Sequence, residues 1–191
     1  MLNEEQITEI FTKTKVLLEG HFRLTSGLHA AKYMQCAQLL QYPEYTEVLL
    51  EQLAGYFADQ KITAVVGPAT GAIILAYEAA RHLKARSLFT EREEGKMVYR
   101  RGFTLTPEDR VLVVEDVVTT GGSVKEVIAA TREKGAEVVG VGVLVDRSGG
   151  RVDFGVPLKA LLMVDIQTYQ PEECPLCAAG SVAIKPGSRQ I

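Results

Sequence analysis

Two adjacent carboxylates, Glu115 and Asp116, follow the apolar run Val111-Leu112-Val113-Val114 and lead directly into Val117-Val118-Thr119-Thr120-Gly121-Gly122-Ser123. Each part of this stretch has a chemical use. Gly121 and Gly122 let backbone N–H groups turn toward a ligand, and Thr119, Thr120 and Ser123 add hydroxyl donors. A helix starting here contributes the positive end of its dipole, which suits a phosphate monoester. The carboxylates need another partner. At ~6 Å and an effective dielectric of ~20, one carboxylate repels one phosphate charge by roughly 3 kcal/mol, so the acids should face hydroxyls or a metal. A sugar phosphate with a vicinal diol satisfies both halves. Successive side chains of a strand point to opposite faces, so both acids reach one ligand only if extended geometry stops at the pair. A structural reading competes at one residue: Ser123-Val124-Lys125-Glu126 has the form of a capping box, in which Ser123 only starts the helix.

Other segments carry weaker signals. Neither G-x-x-x-x-G-K-S/T nor G-x-G-x-x-G after a strand occurs, which excludes the two common nucleotide-binding loops. Gly67-Pro68-Ala69-Thr70-Gly71 turns from a short apolar run into a helical stretch, and Glu91 to Arg101 is dense in charge of both signs. Cys174-Pro175-Leu176-Cys177 has zinc-like spacing, but one pair supplies two of four ligands. No second pair or nearby histidine completes it, and His21, His29 and His82 read as structural or exposed, so no protein-held metal is expected.

The elements that position these residues follow from periodicity. Asn3 to Leu18 reads as a helix capped by Asn3, with Gln6 at the capping-box position, Ile7, Ile10, Phe11 and Leu17 near one face, and Gly20 as its stop. Phe22 to Ala37 reads as irregular strand or hairpin, and a second helix runs from Pro43 to about Asp59. Short apolar runs at Ile62–Val66, Ala85–Phe89, Val111–Val114, Val138–Val145 and Ala160–Val164 then alternate with helical stretches at Ala72–Leu83 and Val124–Lys134. The fold class is α/β, with a largely parallel central sheet flanked by helices. Ligands of such sheets lie beyond the carboxyl ends of strands. Right-handed crossovers place Gly67–Gly71, Glu115–Ser123 and Asp146–Gly150 on one edge, where they can form one pocket.

Bulk properties bound the partners. A chain of 191 residues suits one domain, parsed here as an N-terminal hood segment over about 1–40, an α/β core over about 41–170 and a tail over about 171–191. Hydrophobic residues at 47% and charged residues at 24% are typical of globular proteins, so disorder should not dominate. A net charge of −3 argues against a surface built for nucleic acid. Met1-Leu2-Asn3-Glu4-Glu5 lacks the order of a secretory signal, no apolar run approaches the ~20 residues of a membrane span, and three cysteines suggest no disulfide framework. The expected setting is cytoplasmic, with no membrane and no nucleic acid as partner.

The stretch from Val111 to Ser123 resembles the ribose-phosphate signature of type I phosphoribosyltransferases: an apolar strand, two acids, two apolar residues, then a Thr/Gly/Ser loop. In that family the acids hold the ribose 2- and 3-hydroxyls and the loop wraps the 5-phosphate. The resemblance therefore implies phosphoribosyl pyrophosphate binding by Glu115, Asp116, Val117, Val118, Thr119, Thr120, Gly121, Gly122 and Ser123, with Asp116 catalytic. Phe22-Arg23-Leu24-Thr25-Ser26-Gly27 with Lys32-Tyr33, Phe89-Thr90-Glu91-Arg92-Glu93 with Lys96, and Val145-Asp146-Arg147 are similar to orotate phosphoribosyltransferases of bacterial type, and this likeness runs over nearly the whole chain.

By position, Thr119 and Arg147 match that family's orotate contacts, and an arginine fork suits the orotate carboxylate. Tyr33 and Met34 stand where aromatic residues flank the base in relatives. Glu91 to Arg101 matches the mobile loop that closes over the diphosphate of the neighbouring subunit, which implies a homodimer, with Arg92 and a catalytic Lys96 on the diphosphate and Arg100 and Arg101 behind. Gly67 to Gly71 matches the pyrophosphate loop. The implied reaction moves ribose 5-phosphate from phosphoribosyl pyrophosphate to N1 of orotate in pyrimidine biosynthesis, with Mg²⁺ carried on the diphosphate. Some features depart from the family: no histidine lies between Glu91 and Arg101, Thr25 stands where relatives often have lysine, and Gly67–Gly71 contains no lysine. Two alternatives stay open: a purine or uracil as the base, and a regulator that senses phosphoribosyl pyrophosphate while binding nucleic acid.

Overall fold

The computed structural model describes residues 1–24 and 26–185; Thr25, one of the departures above, lies outside them. In chain order the elements are α1 (Glu4–Lys13), β1 (Leu17–Arg23), β2 (His29–Met34), α2 (Pro43–Gly55), β3 (Ala64–Pro68), α3 (Ile73–Leu83) and β4 (Arg86–Glu93). They continue with β5 (Lys96–Tyr99), β6 (Arg110–Val118), α4 (Gly122–Glu133), β7 (Glu137–Asp146), β8 (Leu158–Met163), β9 (Thr168–Tyr169) and α5 (Pro175–Ala178). None of the described helices is long and apolar enough to cross a membrane.

Six strands form the central sheet in the order β5-β4-β3-β6-β7-β8. All neighbours are parallel except β4 and β5. Alternation along β6 builds two apolar layers. Leu112 and Val114 pack with Leu49, Leu50 and Leu53 of α2 and Leu75 of α3, whereas Val111 and Val113 pack with Val124, Val127 and Ile128 of α4. A sheet covered on both faces needs continuous apolar strands, which is why these runs are legible as parallel strands.

The segment 91–101, likened above to a mobile loop, forms a hairpin at the edge of the sheet. Glu91, Arg92 and Glu93 pair with Val98, Met97 and Lys96, and Glu94 and Gly95 make the turn with φ of 48° and 82°. Two central residues of positive φ match the right-handed twist of a tight hairpin. The dense charge hid this strand, because only Met97 of β5 is buried.

The first helix keeps its capping box: Gln6 N–H donates to the Asn3 side chain, and Asn3 N–H donates to the Gln6 side chain. It ends earlier than its periodicity suggests. Lys15 takes a left-handed φ of 55°, Val16 is fully buried, and Leu17 and Gly20 belong to β1 instead. Strand pairing with β2, in register from Leu17 opposite Met34, outweighs local helical pattern. The hood sheet has the order β1-β2-β9, so it also takes in residues 168–169, from the end of the stretch assigned above to the core.

A second correction concerns the cysteines. His21 on β1 and His29 on β2 lie beside Cys174 and Cys177, with Cys177 Sγ 3.3 Å from His29 Nδ1. Linear spacing could not show this, because strand pairing and a return of some 150 residues create the proximity.

Helix α2 sits directly on the backbone of β7. A Cβ on Gly140 would lie 2.4 Å from Phe57 Cε1, and one on Gly142 would lie 3.2 Å from Leu53 Cγ. We expect Gly140→Ala to lower the unfolding free energy by about 1–3 kcal/mol in urea titrations, through overpacking against Phe57. A variant as stable as the native chain would show that this contact has slack.

Candidate active site

The site is built where three parallel strands end together. Pairing of β6 with β3 stops at Val113, whereas pairing with β7 continues to Val118. From Val114 onward one edge of β6 therefore has no strand partner. Asp116 N–H donates to Glu115 Oε1 at 3.1 Å, and Val117 N–H donates to Asp116 Oδ1 at 2.7 Å. The ladder does not end at the acids, contrary to the simplest expectation, but the alternation slips there. Val117 packs with the α2–α3 layer and Val118 with the α4 layer, the reverse of the parity set by Leu112 and Val113. This slip lets two neighbouring carboxyls interact.

Their electrostatics are unusual. Burial raises the pKa of both above the ordinary carboxyl range, and the Asp116 charge pushes Glu115 further up. Two carboxylates in contact at reduced dielectric repel by several kcal/mol, so the pair retains a proton that an exposed pair would lose.

Next to them is a cavity of about 270 Å³, lined by Glu115, by every residue from Val117 to Val124, and by Glu126. Gly121 caps α4 with φ 75° and no side-chain bond, so Ser123 does not serve as the N-cap. The first helical bond runs from Lys125 N–H to the Gly121 carbonyl at 2.9 Å. The N–H groups of Gly122, Ser123 and Val124 thus have no partner inside the helix, and they belong to residues that line the cavity. Gly121 could not be another residue. Its φ is left-handed, and a Cβ there would meet Phe154 and Val152 at 2.8 Å.

The other two strand ends meet the acids and the residues that follow them. A Cβ on Gly71 would lie 3.5 Å from Asp116 Oδ2, which brings the Gly67–Gly71 turn against the pair. Gly67 is required for that turn, since a Cβ would lie 2.6 Å from the Ala72 carbonyl oxygen. At the end of β7, Arg147 N–H donates to the Val118 carbonyl at 2.8 Å, and Asp146 Oδ1 accepts from Ser148 N–H at 2.6 Å.

This turn holds Arg147 half-buried, with Nε enclosed and unpartnered, and no carboxylate pairs with it among the described residues. Burial lowers its pKa, and the nearby titratable groups are Tyr33 and Cys36. Tyr33 is raised by burial and then by Asp116, and its ring lies 5.8 Å from that of Phe22. Met34 points the other way, into the core, as alternation along β2 requires.

The cations of the hairpin are mostly engaged within the chain. Arg92 Nη1 lies 2.9 Å from Glu126 Oε2 without hydrogen-bond geometry, and it donates to the Gly95 carbonyl. Arg101 binds Glu91 through two bonds of 2.8 Å, and Arg100 approaches Glu93 at 3.4 Å. Lys96 is exposed and has no ion-pair partner among the described residues. The structure thus gathers Glu115 and the loop from Val117 to Ser123 around one cavity. Asp116 and Arg147 stand beside it, Arg92 reaches its rim through Glu126, and Lys96 stays apart. Glu126, read above only as part of a capping box, and Cys36 were not expected at the site; the signal for Glu126 was its place one turn after Ser123.

Residues 37–154 match the family model described as the phosphoribosyl transferase domain. The chain is 59% identical over 190 residues to the curated orotate phosphoribosyltransferase of Desulforamulus reducens, with 100% of both chains covered. A crystal structure of orotate phosphoribosyltransferase from Aeropyrum pernix superposes with a TM-score of 0.66 at 29% identity, covering 83% of this chain and 93% of that one. An adenine phosphoribosyltransferase from Rhodothermus marinus gives 0.65 at 24% identity over 82% and 99% of the two chains, a likeness of fold alone.

The raised acid pair has a measurable consequence. A carboxyl whose folded pKa exceeds its unfolded value costs stability as pH rises above the ordinary range, because the unfolded chain ionises first. We expect Glu115→Gln to stabilise the ligand-free chain by on the order of 1 kcal/mol at pH 8, with the gain shrinking toward pH 5. Thermal melts at the two pH values check this; an equal shift at both would contradict the assigned burial.

Proposed function

The chain belongs to the phosphoribosyl transferase family, and on that premise we propose that it transfers ribose 5-phosphate from phosphoribosyl pyrophosphate to orotate. The products are orotidine 5′-phosphate and diphosphate, a step of pyrimidine biosynthesis. Full-length identity of 59% to a relative named for orotate supports this choice of base. The observation that carries it is Arg147: a half-buried guanidinium, beside the proposed ribose site and without a carboxylate partner among the described residues. Orotate brings that carboxylate, whereas a purine or uracil would leave the cation unpaired.

The loop from Thr119 to Ser123 and the start of α4 hold the 5-phosphate through backbone N–H groups, hydroxyls and the helix dipole. Glu115 and Asp116 take the ribose hydroxyls, which replace the water that burial has removed. Positive charge that develops at the anomeric carbon then lies close to this pair, and a preoriented carboxylate stabilises it without reorganisation. Tyr33 and Thr119 flank the base held by Arg147. Gly67–Gly71 lies along the diphosphate, close enough to the acids to keep donor and base in line.

The carboxylates and hydroxyls gathered here are hard oxygen donors that fit Mg²⁺, which, brought in on the diphosphate, would offset the charge of the leaving group. The hairpin supplies further cations in this reading: Lys96, exposed and unpaired, and Arg92, once it exchanges Glu126 for diphosphate. We assign them to the neighbouring subunit's site in a homodimer.

A panel of bases with phosphoribosyl pyrophosphate tests the substrate, with turnover expected on orotate and not on uracil, adenine or hypoxanthine. In the same assay Arg147→Ala should raise the KM for orotate on the order of 100-fold while leaving that for phosphoribosyl pyrophosphate within about threefold. Equal loss for both ligands would remove Arg147 from the base site. Sharing between subunits has its own test. Lys96→Ala and Asp116→Asn chains, each inactive alone, should recover about a quarter of native activity when unfolded and refolded together, since half the dimers then hold one intact site of two. No recovery would place Lys96 in its own subunit's site.

A further inference from the structure

We propose that His21, His29, Cys174 and Cys177 form a structural zinc site that fastens the segment after the core to the hood hairpin. The four ligand atoms lie within 4.8 Å of one another, and all of these residues except Cys177 are buried. His21 Nε2 and His29 Nδ1 are 3.0 Å apart. Cys174 Sγ lies 3.5 Å from His21 Nε2, and Cys177 Sγ lies 3.7 Å from His21 Nε2 and 3.3 Å from His29 Nδ1. With Zn–S near 2.3 Å and Zn–N near 2.0 Å, a tetrahedron has N···N edges of about 3.3 Å and S···N edges of about 3.5 Å. Four of the six edges already stand near those lengths, and the other two, from Cys174 Sγ to Cys177 Sγ and to His29 Nδ1, are within 4.8 Å.

The outer contacts agree. His21 Nδ1 lies 3.1 Å from the Ser181 carbonyl oxygen, so it donates there and leaves the Nε2 lone pair directed at the sulfurs. Two thiolates and two neutral imidazoles around a divalent ion sum to zero charge, which a buried position tolerates. Thiolate and imidazole donors select zinc over magnesium or calcium, and four protein ligands leave no open position for catalysis.

The surrounding architecture explains why a staple is needed here. Cys174 is the only buried apolar residue among the described residues from 170 to 185, while Val182 and Ile184 are exposed. Apart from the cluster, this segment is tied to β1 by Arg23 N–H to the Ile184 carbonyl at 2.8 Å and Ile184 N–H to the His21 carbonyl at 2.9 Å. A segment with so little apolar burial gains its order from metal bonds rather than from a core. The same hairpin carries Tyr33, so the ion also steadies one wall of the base site.

The test uses the full untagged chain, reduced with a phosphine, loaded with excess zinc and desalted. Mass spectrometry of the metal should find one zinc per chain, and X-ray absorption should give two sulfur and two nitrogen neighbours at about 2.3 and 2.0 Å. Cobalt in place of zinc should show tetrahedral visible bands and a thiolate charge-transfer band. Cys174→Ser and Cys177→Ser should each cut zinc below about a tenth of an equivalent. Loss of zinc should speed amide exchange in residues 17–34 and 174–185. Native chain that retains less than about a tenth of an equivalent, with both thiols titrating as unligated, would overturn the site even if no variant folds. So would variants that fold and keep a full equivalent.

Discussion

Everything at the site depends on two carboxyls held at a strand edge that has no neighbour. Beyond Val113, β3 no longer pairs with β6, yet β7 still does, so Glu115 and Asp116 sit on an ordered backbone with one side open. The sheet pays their desolvation through the apolar layers on both of its faces. A raised carboxyl pair is a poor device for stability, and it makes sense only where a ligand replaces lost water with hydroxyls. The glycine turn that follows meets the opposite demand, since its N–H groups and helix dipole suit the phosphate the acids would repel.

Other parts of the molecule are arranged around this polarity. Two further strand ends meet this stretch because parallel strands end on one edge: Gly67–Gly71 lies against Asp116, and Arg147 bonds to Val118. Arg147 is held half-buried after β7, next to Tyr33 and Cys36. The hood contributes Tyr33 on a hairpin whose Ala30 and Met34 pack into the core. Pairing with β9 and, in our proposal, a metal on the His/Cys cluster tie that hairpin to the later part of the chain and steady it as a wall of the site.

The central sheet and the succession of strand, acid pair and glycine turn over Val111–Ser123 were legible in the sequence because they are local. Apolar runs of strand length, broken by glycines and capped helices, need no distant information, and acids beside a Thr/Gly loop state their own requirements. What failed was tertiary. Leu17 follows a helical pattern, yet it pairs with Met34, and β5 looks like charged loop because one residue of it is buried. The slip of parity at Glu115 was inferred as a need, but its form, a continuing ladder with exchanged faces, was not. His21 and His29 have no ligand spacing along the chain; only the hairpin and the return at Cys174 bring them together.

The most direct test of the central claim is a crystal structure of the chain with ribose 5-phosphate bound. The account requires the phosphate within hydrogen-bond distance of the N–H groups of Gly122 to Val124 and the ribose hydroxyls on Glu115 and Asp116. Density for the phosphate elsewhere, or a sugar turned away from the two acids, would contradict it.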